Sequence, residues 1–333
     1  MVDLRKSCAA ALSVVALGTI PLTGNAPQSH EAPRAAHWEA YAVDSHRGAL
    51  IRFGGSTGVR DGRVEYDSAT WEWTDAGWRS TVPAENGPGS RHAHGMAYHP
   101  DRREVFLAGG VRVEDGKERS LCDTWRYDGR QWTRLQDGPC GGAGATLVFD
   151  TRRRWLLWIE GDPLTPGSDQ QPLRLWRWTP ERWVPLESPG PRGAHTARAA
   201  FDARRQVLVV LAFAGPDAGV WEWNGQSWRH ATASGPAPRT AFGFAYDPVT
   251  SRTVLAGGRS DMNRTPLADM WTWDGDRWQE RASEPGASPA PRSHATLIGT
   301  KERMLFVGGS ACGPLLDEIW TLAANRWRRW TLP

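Results

Sequence analysis

From about residue 34 onward the chain is written in short apolar or alternating runs broken by Gly, Pro, Asn and Asp, the pattern of short strands joined by turns. One stretch shows the unit. HAHGMAYH (92–99), EVFLAGG (104–110), DTWRYD (123–128) and QWTRLQ (131–136) read as four consecutive strands, and the opening hairpin returns as FDTRRRWLLWIEG, FDARRQVLVVLAFAG and AYDPVTSRTVLAGG. Asp-Gly at 128–129 and 274–275 and Asn-Gly at 224–225 supply tight turns between the third and fourth strands. Because alternate strand residues share a face, Trp271 and Trp273 point to the same side and the closing Trp278 folds back beside them.

This unit repeats. Two tryptophans, or a large residue in place of one of them, precede a further Trp in TWEWTDAGW (70–78), TWRYDGRQW (124–132), LWRWTPERW (175–183), VWEWNGQSW (220–228), MWTWDGDRW (270–278) and IWTLAANRW (319–327). The closing residues Trp78, Trp132, Trp183, Trp228, Trp278 and Trp327 are 54, 51, 45, 50 and 49 positions apart, a period that belongs to propeller blades. The expected fold is therefore all-β: a six-bladed β-propeller with four antiparallel strands per blade, each blade burying its faces against its neighbours. The blades are expected over about 34–83, 88–137, 138–188, 189–233, 234–283 and 284–333. Tryptophans on this register have counterparts in blade after blade and read as scaffold; Trp38, Trp155, Trp158 and Trp330 fall outside it.

An apolar strand ending in Gly-Gly and followed by an aromatic pair resembles the kelch repeat. The glycines stand at Gly54-Gly55, Gly109-Gly110, Gly257-Gly258 and Gly308-Gly309, with Glu160-Gly161 and Ala214-Gly215 in their place in units three and four. The resemblance covers about residues 34–333. It implies a kelch-type propeller and extends to no activity: the copper and cysteine-linked tyrosine constellation of galactose oxidase, also a kelch propeller, has no residue-by-residue match here.

Composition narrows the function classes. The formal charge is only +3, lysine occurs only at Lys6, Lys117 and Lys301, and no basic run forms a nucleic-acid footprint, so nucleic acid is not expected as a partner. At the N-terminus, Arg5 and Lys6 precede an apolar run from Cys8 to Leu22 and then small residues, the order of a secretory signal and too short a run for a membrane span. Residues 1–26 are read as a signal peptide, residues 27–333 as one propeller, and the protein as secreted or periplasmic and monomeric. Setting 1–26 aside leaves three cysteines. Cys122 and Cys140 flank strands three and four of blade two on one face and are expected to be disulfide-bonded, with Cys312 left as a free thiol.

Chemistry is expected on the face that carries the long loops between strands two and three, near the central axis. A second repeat lies there: PRAAH (33–37), SRHAH (90–94), PRGAH (191–195), PRTAF (238–242) and PRSH (291–294). Arg34, Arg91, Arg192, Arg239 and Arg292 are expected around the channel mouth, with His37, His94, His195 and His294 behind them. Converging guanidiniums suit an anionic ligand, and Arg91, His94, Arg192, His195, Arg239, Arg292 and His294 are the candidate ligand-binding residues. The competing reading is that each arginine caps loop carbonyls or pairs with an acidic residue of its own blade. No metal site is expected, because ligands must converge on one point and repeat positions explain the histidines, and no cofactor motif is present. GGSTG (54–58) lacks the helix a nucleophile elbow needs, and CGGAGA (140–145) lacks a P-loop lysine. Two functions remain open: a module binding a glycan, an anionic small molecule or a protein through the loop face, or a carbohydrate-active enzyme similar in architecture to the bacterial N-acetylneuraminate epimerase.

Overall fold

The computed structural model describes residues 32–333 apart from 75, 141, 143, 161–169, 194–196, 232, 261, 263, 283–287, 324–325 and 331–333. The span read as a signal peptide lies outside the described residues.

Six four-stranded antiparallel sheets follow one another along the chain. Blade 1 comprises Ala40–Asp44, Ala49–Phe53, Thr70–Thr74 and Gly77–Val82; blade 2 Gly95–His99, Glu104–Ala108, Thr124–Tyr127 and Trp132–Arg134; blade 3 Thr146–Asp150, Trp155–Ile159, Leu175–Trp178 and Trp183–Pro185. Blade 4 comprises Arg198–Asp202, Val207–Ala212, Gly219–Trp223 and Trp228–Ala231; blade 5 Gly243–Asp247, Arg252–Ala256, Met270–Trp273 and Trp278–Arg281; blade 6 Thr296–Gly299, Met304–Val307, Ile319–Ala323 and Arg326–Arg329. The first strands of neighbouring blades touch around a full circuit, blade 6 to blade 1 included, and enclose a central channel. This is the six-bladed β-propeller that the repeat period predicts. Among the described residues no strand is exchanged between the termini. The ring closes instead by packing Tyr41 and Leu50 of blade 1 against Ile298, Leu305, Val307 and Ile319 of blade 6.

The repeated tryptophans bind blade to blade. Trp132 of blade 2 donates its indole N–H to Thr70 Oγ1 of blade 1 at 2.7 Å, Trp183 of blade 3 donates to Thr124 Oγ1 of blade 2 at 2.9 Å, and Trp273 of blade 5 to Glu222 Oε1 of blade 4 at 2.9 Å. Each indole thus buries a large apolar body while its one polar atom finds an acceptor on the neighbour. Glycine at the strand ends permits the same closeness. Gly110 and Gly258 have φ of +91° and +101°, and a Cβ there would meet the carbonyl oxygens of His92 at 2.7 Å and Thr240 at 2.9 Å. In blade 4 the glycine of Ala214-Gly215 holds the same place, with φ +86° and the backbone of Gly193 2.6 Å from an added Cβ.

Between strands two and three, blades 1 and 2 carry extra hairpins on the loop face, Ser56–Arg60 with Arg63–Tyr66 and Val111–Glu114 with Lys117–Ser120. Tyr66 Oη accepts a hydrogen bond from Val113 N at 2.9 Å and joins them. Cys122 and Cys140 are disulfide-bonded, tying the entry of strand three in blade 2 to the segment after strand four. Cys312 is not the free thiol expected: it too is disulfide-bonded, and no described cysteine is free. Cys8, the remaining cysteine of the sequence, lies outside the described residues.

The blade-to-blade indole bonds predict a specific weakness. Thr70 is fully buried, and Thr70→Val keeps its shape while leaving the Trp132 N–H without an acceptor. Denaturant unfolding should show a loss of about 1–3 kcal/mol, the cost of a buried unsatisfied donor; no loss would mean that the indole bonds are incidental to packing.

Candidate functional site

Three of the repeat arginines do not face the channel. Arg91, Arg239 and Arg292 are at most 2% exposed, and none of the five lines the channel. Arg91 places its guanidinium on both oxygens of Asp123 at 2.8 and 2.7 Å, on the Gly109 and Gly89 carbonyls at 3.1 and 3.3 Å, and on the carbonyl of Pro88. All five of its N–H donors are thereby used. Arg239 repeats the arrangement with Asp269, Gly257 and Ala237, and Arg292 with Glu318, Gly308 and Ala290. The same carboxylates accept the indole N–H of Trp125, Trp271 and Trp320 at 2.7, 2.7 and 2.8 Å. Arginine, carboxylate and tryptophan thus form a recurring buried trio that fixes the loop entering each blade to its third strand. Arg34 and Arg192 are exposed and pair with Glu65 and Asp217, each at 3.1 Å. His94 reaches the channel lining but is buried, packed against Phe53 and Gly54 of blade 1, where burial holds its proton affinity well down. His195 lies outside the described residues.

The mouth itself is built by a different position of the same loops. Trp38, Ala93, Gly144, Ala241 and His294 each stand two residues before the first strand of their blade, and all are left-handed, with φ of 54°, 54°, 83°, 53° and 62°. Their backbones are linked from blade to blade: Ala93 N donates to Trp38 O at 2.8 Å, Gly144 N to Ala93 O at 3.1 Å, and His294 N to Ala241 O at 2.8 Å. All five line the channel. The left-handed region is cheap for glycine and costs a bulky residue on the order of 1–3 kcal/mol. Three of the five positions carry Ala or Gly; the two bulky ones, Trp38 and His294, are neighbours across the junction of blades 6 and 1.

Around Trp38 the side chains gather. Its indole is 39% exposed, stacks on His92 at 5.1 Å and 28°, and meets His294 edge-on at 4.7 Å, while His37 lies 5.3 Å from His294 and Tyr66 stacks on His92 at 5.9 Å. Nδ1 of His294 is 3.1 Å from Ser293 Oγ; Nδ1 of His37 and of His92 is buried without a partner. Burial lowers all three imidazoles, His92 to about 4, and burial with the charges of His37, Arg259 and Arg198 lowers His294 to about 3. They are neutral at neutral pH.

Arg198 completes the site from blade 4. It opens the first strand at a register position held in the other blades by Ala40, Gly95, Thr146, Gly243 and Thr296, each pairing with the last or next-to-last residue of its second strand. The side chain lines the channel against Gly144, and among the described residues its one hydrogen bond is to the Ala197 carbonyl at 3.3 Å. Among the described residues no carboxylate pairs with it, and burial, with nothing offsetting it, lowers its proton affinity. A guanidinium held this way invites an external anion. The channel encloses about 410 Å³, enough for a small molecule.

Sequence reasoning named His37, His94 and His294 and missed Trp38, His92 and Arg198. The signals were present: Trp38 is one of four tryptophans off the repeat register, and Arg198 interrupts a column of small residues. Because the unfolded chain titrates its histidines near the ordinary 6.5 while the folded chain holds His92 near 4 and His294 near 3, the unfolded state binds more protons below that point. Stability should therefore fall as pH drops from about 6.5 toward about 4, and His92→Gln/His294→Gln should flatten that slope in denaturant titrations; an unchanged slope would show that these imidazoles are not held neutral.

No protein-family model and no curated protein matches the chain. Solved structures do: that of YjhT superposes with a TM-score of 0.64 at 14% sequence identity, over 90% of this chain and 99% of that one. With 319 solved chains matching in all, likeness at this level carries the propeller fold and singles out no function.

Proposed function

We propose that the protein is a ligand-binding propeller whose loop-face mouth captures an anionic, ring-shaped small molecule, an acidic sugar being the type that fits. One observation carries the reading: Arg198 is a half-buried cation that no described carboxylate pairs and no other blade repeats, set in a channel wall of small residues opposite an exposed indole. Structural arginines in this chain are answered by carboxylates, as Arg91 is by Asp123; Arg198 is left open at a cost that a bound anion would offset. The Trp38 face suits the apolar side of a sugar ring, and Ser293 and the imidazoles offer neutral hydrogen-bonding groups for hydroxyls. The kelch-type reading of the repeats and export of a monomer past residue 26 belong to the same proposal, resting on the sequence features described above.

A second reading has one observation in its favour. His294 stands beside the Ser293 hydroxyl at the channel wall, within reach of a sugar bound there, a placement that a proton-transferring group would need. NMR of a reducing acidic sugar with the protein separates the two: faster anomer exchange that His294→Gln abolishes would make the protein an enzyme, and an unchanged rate leaves it a binder.

Arg198→Met tests the principal reading. Calorimetric titration should show glucuronate binding to the wild type and glucose binding more weakly. The variant should lose at least about 30-fold in affinity for the acid, the scale of a truncated buried charge contact. Its unfolding temperature should be equal or higher, since an uncompensated charge has been removed. Undiminished binding by a folded Arg198→Met would remove the mouth as the anion site.

A further inference from the structure

The junction of blades 6 and 1 closes less completely than the others, and a second cavity opens there. Trp73 lines it half-buried, whereas its counterparts Tyr127, Trp178, Trp223, Trp273 and Leu322 are all buried. Trp78 is half-buried beside it, where Trp132 and Trp183 are buried and hydrogen-bonded to threonines of the preceding blade. Ile319 stands in blade 6 at the place of those threonines, packs against Trp78, and offers it no acceptor. Trp330, off the repeat register, adds a third ring: it lies 4.9 Å from Trp73, edge-on at 79°, and Trp73 lies 6.4 Å from Trp78 at 44°. Three indoles set at different angles thus line a space of about 260 Å³.

Glu39 supplies the polar side of this space. It precedes the first strand of blade 1, at a position held in the other blades by His94, Ala145, Ala197, Phe242 and Ala295, so this carboxyl too is unrepeated. Its side chain reaches across the junction to Gly308 of blade 6 and is 6% exposed; one oxygen accepts from the Tyr41 hydroxyl at 3.2 Å and the other is buried without a partner. Burial raises its proton affinity despite the charge of Arg52. Glu39 and Tyr41 line both this cavity and the channel and so divide the two. The guanidiniums that share the cavity are answered by other acids: Arg52 by Asp67 at 2.8 Å, Arg34 by Glu65 at 3.1 Å and Arg329 by Glu318 at 3.3 Å. Among the described residues no ion pair reaches Glu39 or the exposed Asp317, so the acids of the cavity are left over and the bases are not. Indole faces attract a cation within about 6 Å of the ring centre, a quaternary ammonium above all. Arg303 already stands over Trp330 in this way, at 5.6 Å. We propose that the cavity between blades 6 and 1 binds a small organic cation of the quaternary-ammonium type, its methyl groups against Trp73, Trp78 and Trp330 and its charge answered by Glu39. This site does not rest on the anion-binding reading of the mouth.

Calorimetric titration of the full chain with choline and with its uncharged carbon analogue 3,3-dimethylbutan-1-ol tests it. Choline should bind at least about 10-fold tighter than the analogue, the scale of one cation held on desolvated indoles. Glu39→Gln keeps an acceptor for Tyr41 and should lower choline toward the level of the analogue while leaving the analogue unchanged. Trp73→Leu should weaken choline at least about 10-fold, and Arg198→Met should leave it unchanged. Equal binding of choline and the analogue would reduce the cavity to an apolar space and overturn the inference. So would choline binding that survives in folded Glu39→Gln and Trp73→Leu, choline binding lost in folded Arg198→Met, or the absence of choline binding by the folded wild type.

Discussion

A blade of this protein cannot bury its faces alone, and the hydrogen-bonded insertion of one blade's indoles into the blade before it is the interaction on which the rest depends. Trp132 on Thr70, Trp183 on Thr124 and Trp273 on Glu222 set the distance and angle between sheets. Once those are set, the loops entering each first strand come close enough for Ala93 to bond Trp38, Gly144 to bond Ala93 and His294 to bond Ala241, which makes the left-handed collar around the channel. The buried arginine, carboxylate and tryptophan trios hold the same loops from behind. The mouth is thus rigid by construction, and what varies between blades is which side chain the collar presents.

That variation divides structure from chemistry. Where a blade presents Ala93, Gly144 or Ala241, the collar is only closed; where it presents Trp38 and His294, a strained backbone position carries a bulky ring toward the channel. The same contrast separates the arginines. Arg91, Arg239 and Arg292 are repeated, buried and each bound to a carboxylate and to loop carbonyls, whereas Arg198 occurs once and, among the described residues, is met only by the Ala197 carbonyl. Repetition marks scaffold in this fold, and departure from repetition marks the places where the chain spends stability on something else.

The fold was legible because a propeller advertises itself through period: the closing tryptophan recurs in all six blades, the Gly-Gly strand end in four and the Asp-Gly turn in two, each answering the same need of one blade. The Cys122–Cys140 bond was legible as well, since both residues flank the same hairpin. The site was less so. The arginine motif is the conspicuous polar repeat, and a linear reading cannot tell a guanidinium turned toward the axis from one turned back onto Asp123, because both occur one residue from the same bend. Trp38 and Arg198 have no motif at all; they line one channel only because the ring brings blades 1 and 4 to opposite sides of it.

The central claim is that the anion anchor is the unrepeated Arg198 and not the repeated arginines. A crystal structure of the protein soaked with glucuronate tests it most directly. The account predicts ligand density in the mouth between the Arg198 guanidinium and the Trp38 indole, with Arg91, Arg239 and Arg292 still on their carboxylates. Density bound instead at the exposed Arg192 or Arg34, or any of the buried arginines drawn out to meet the ligand, would contradict it.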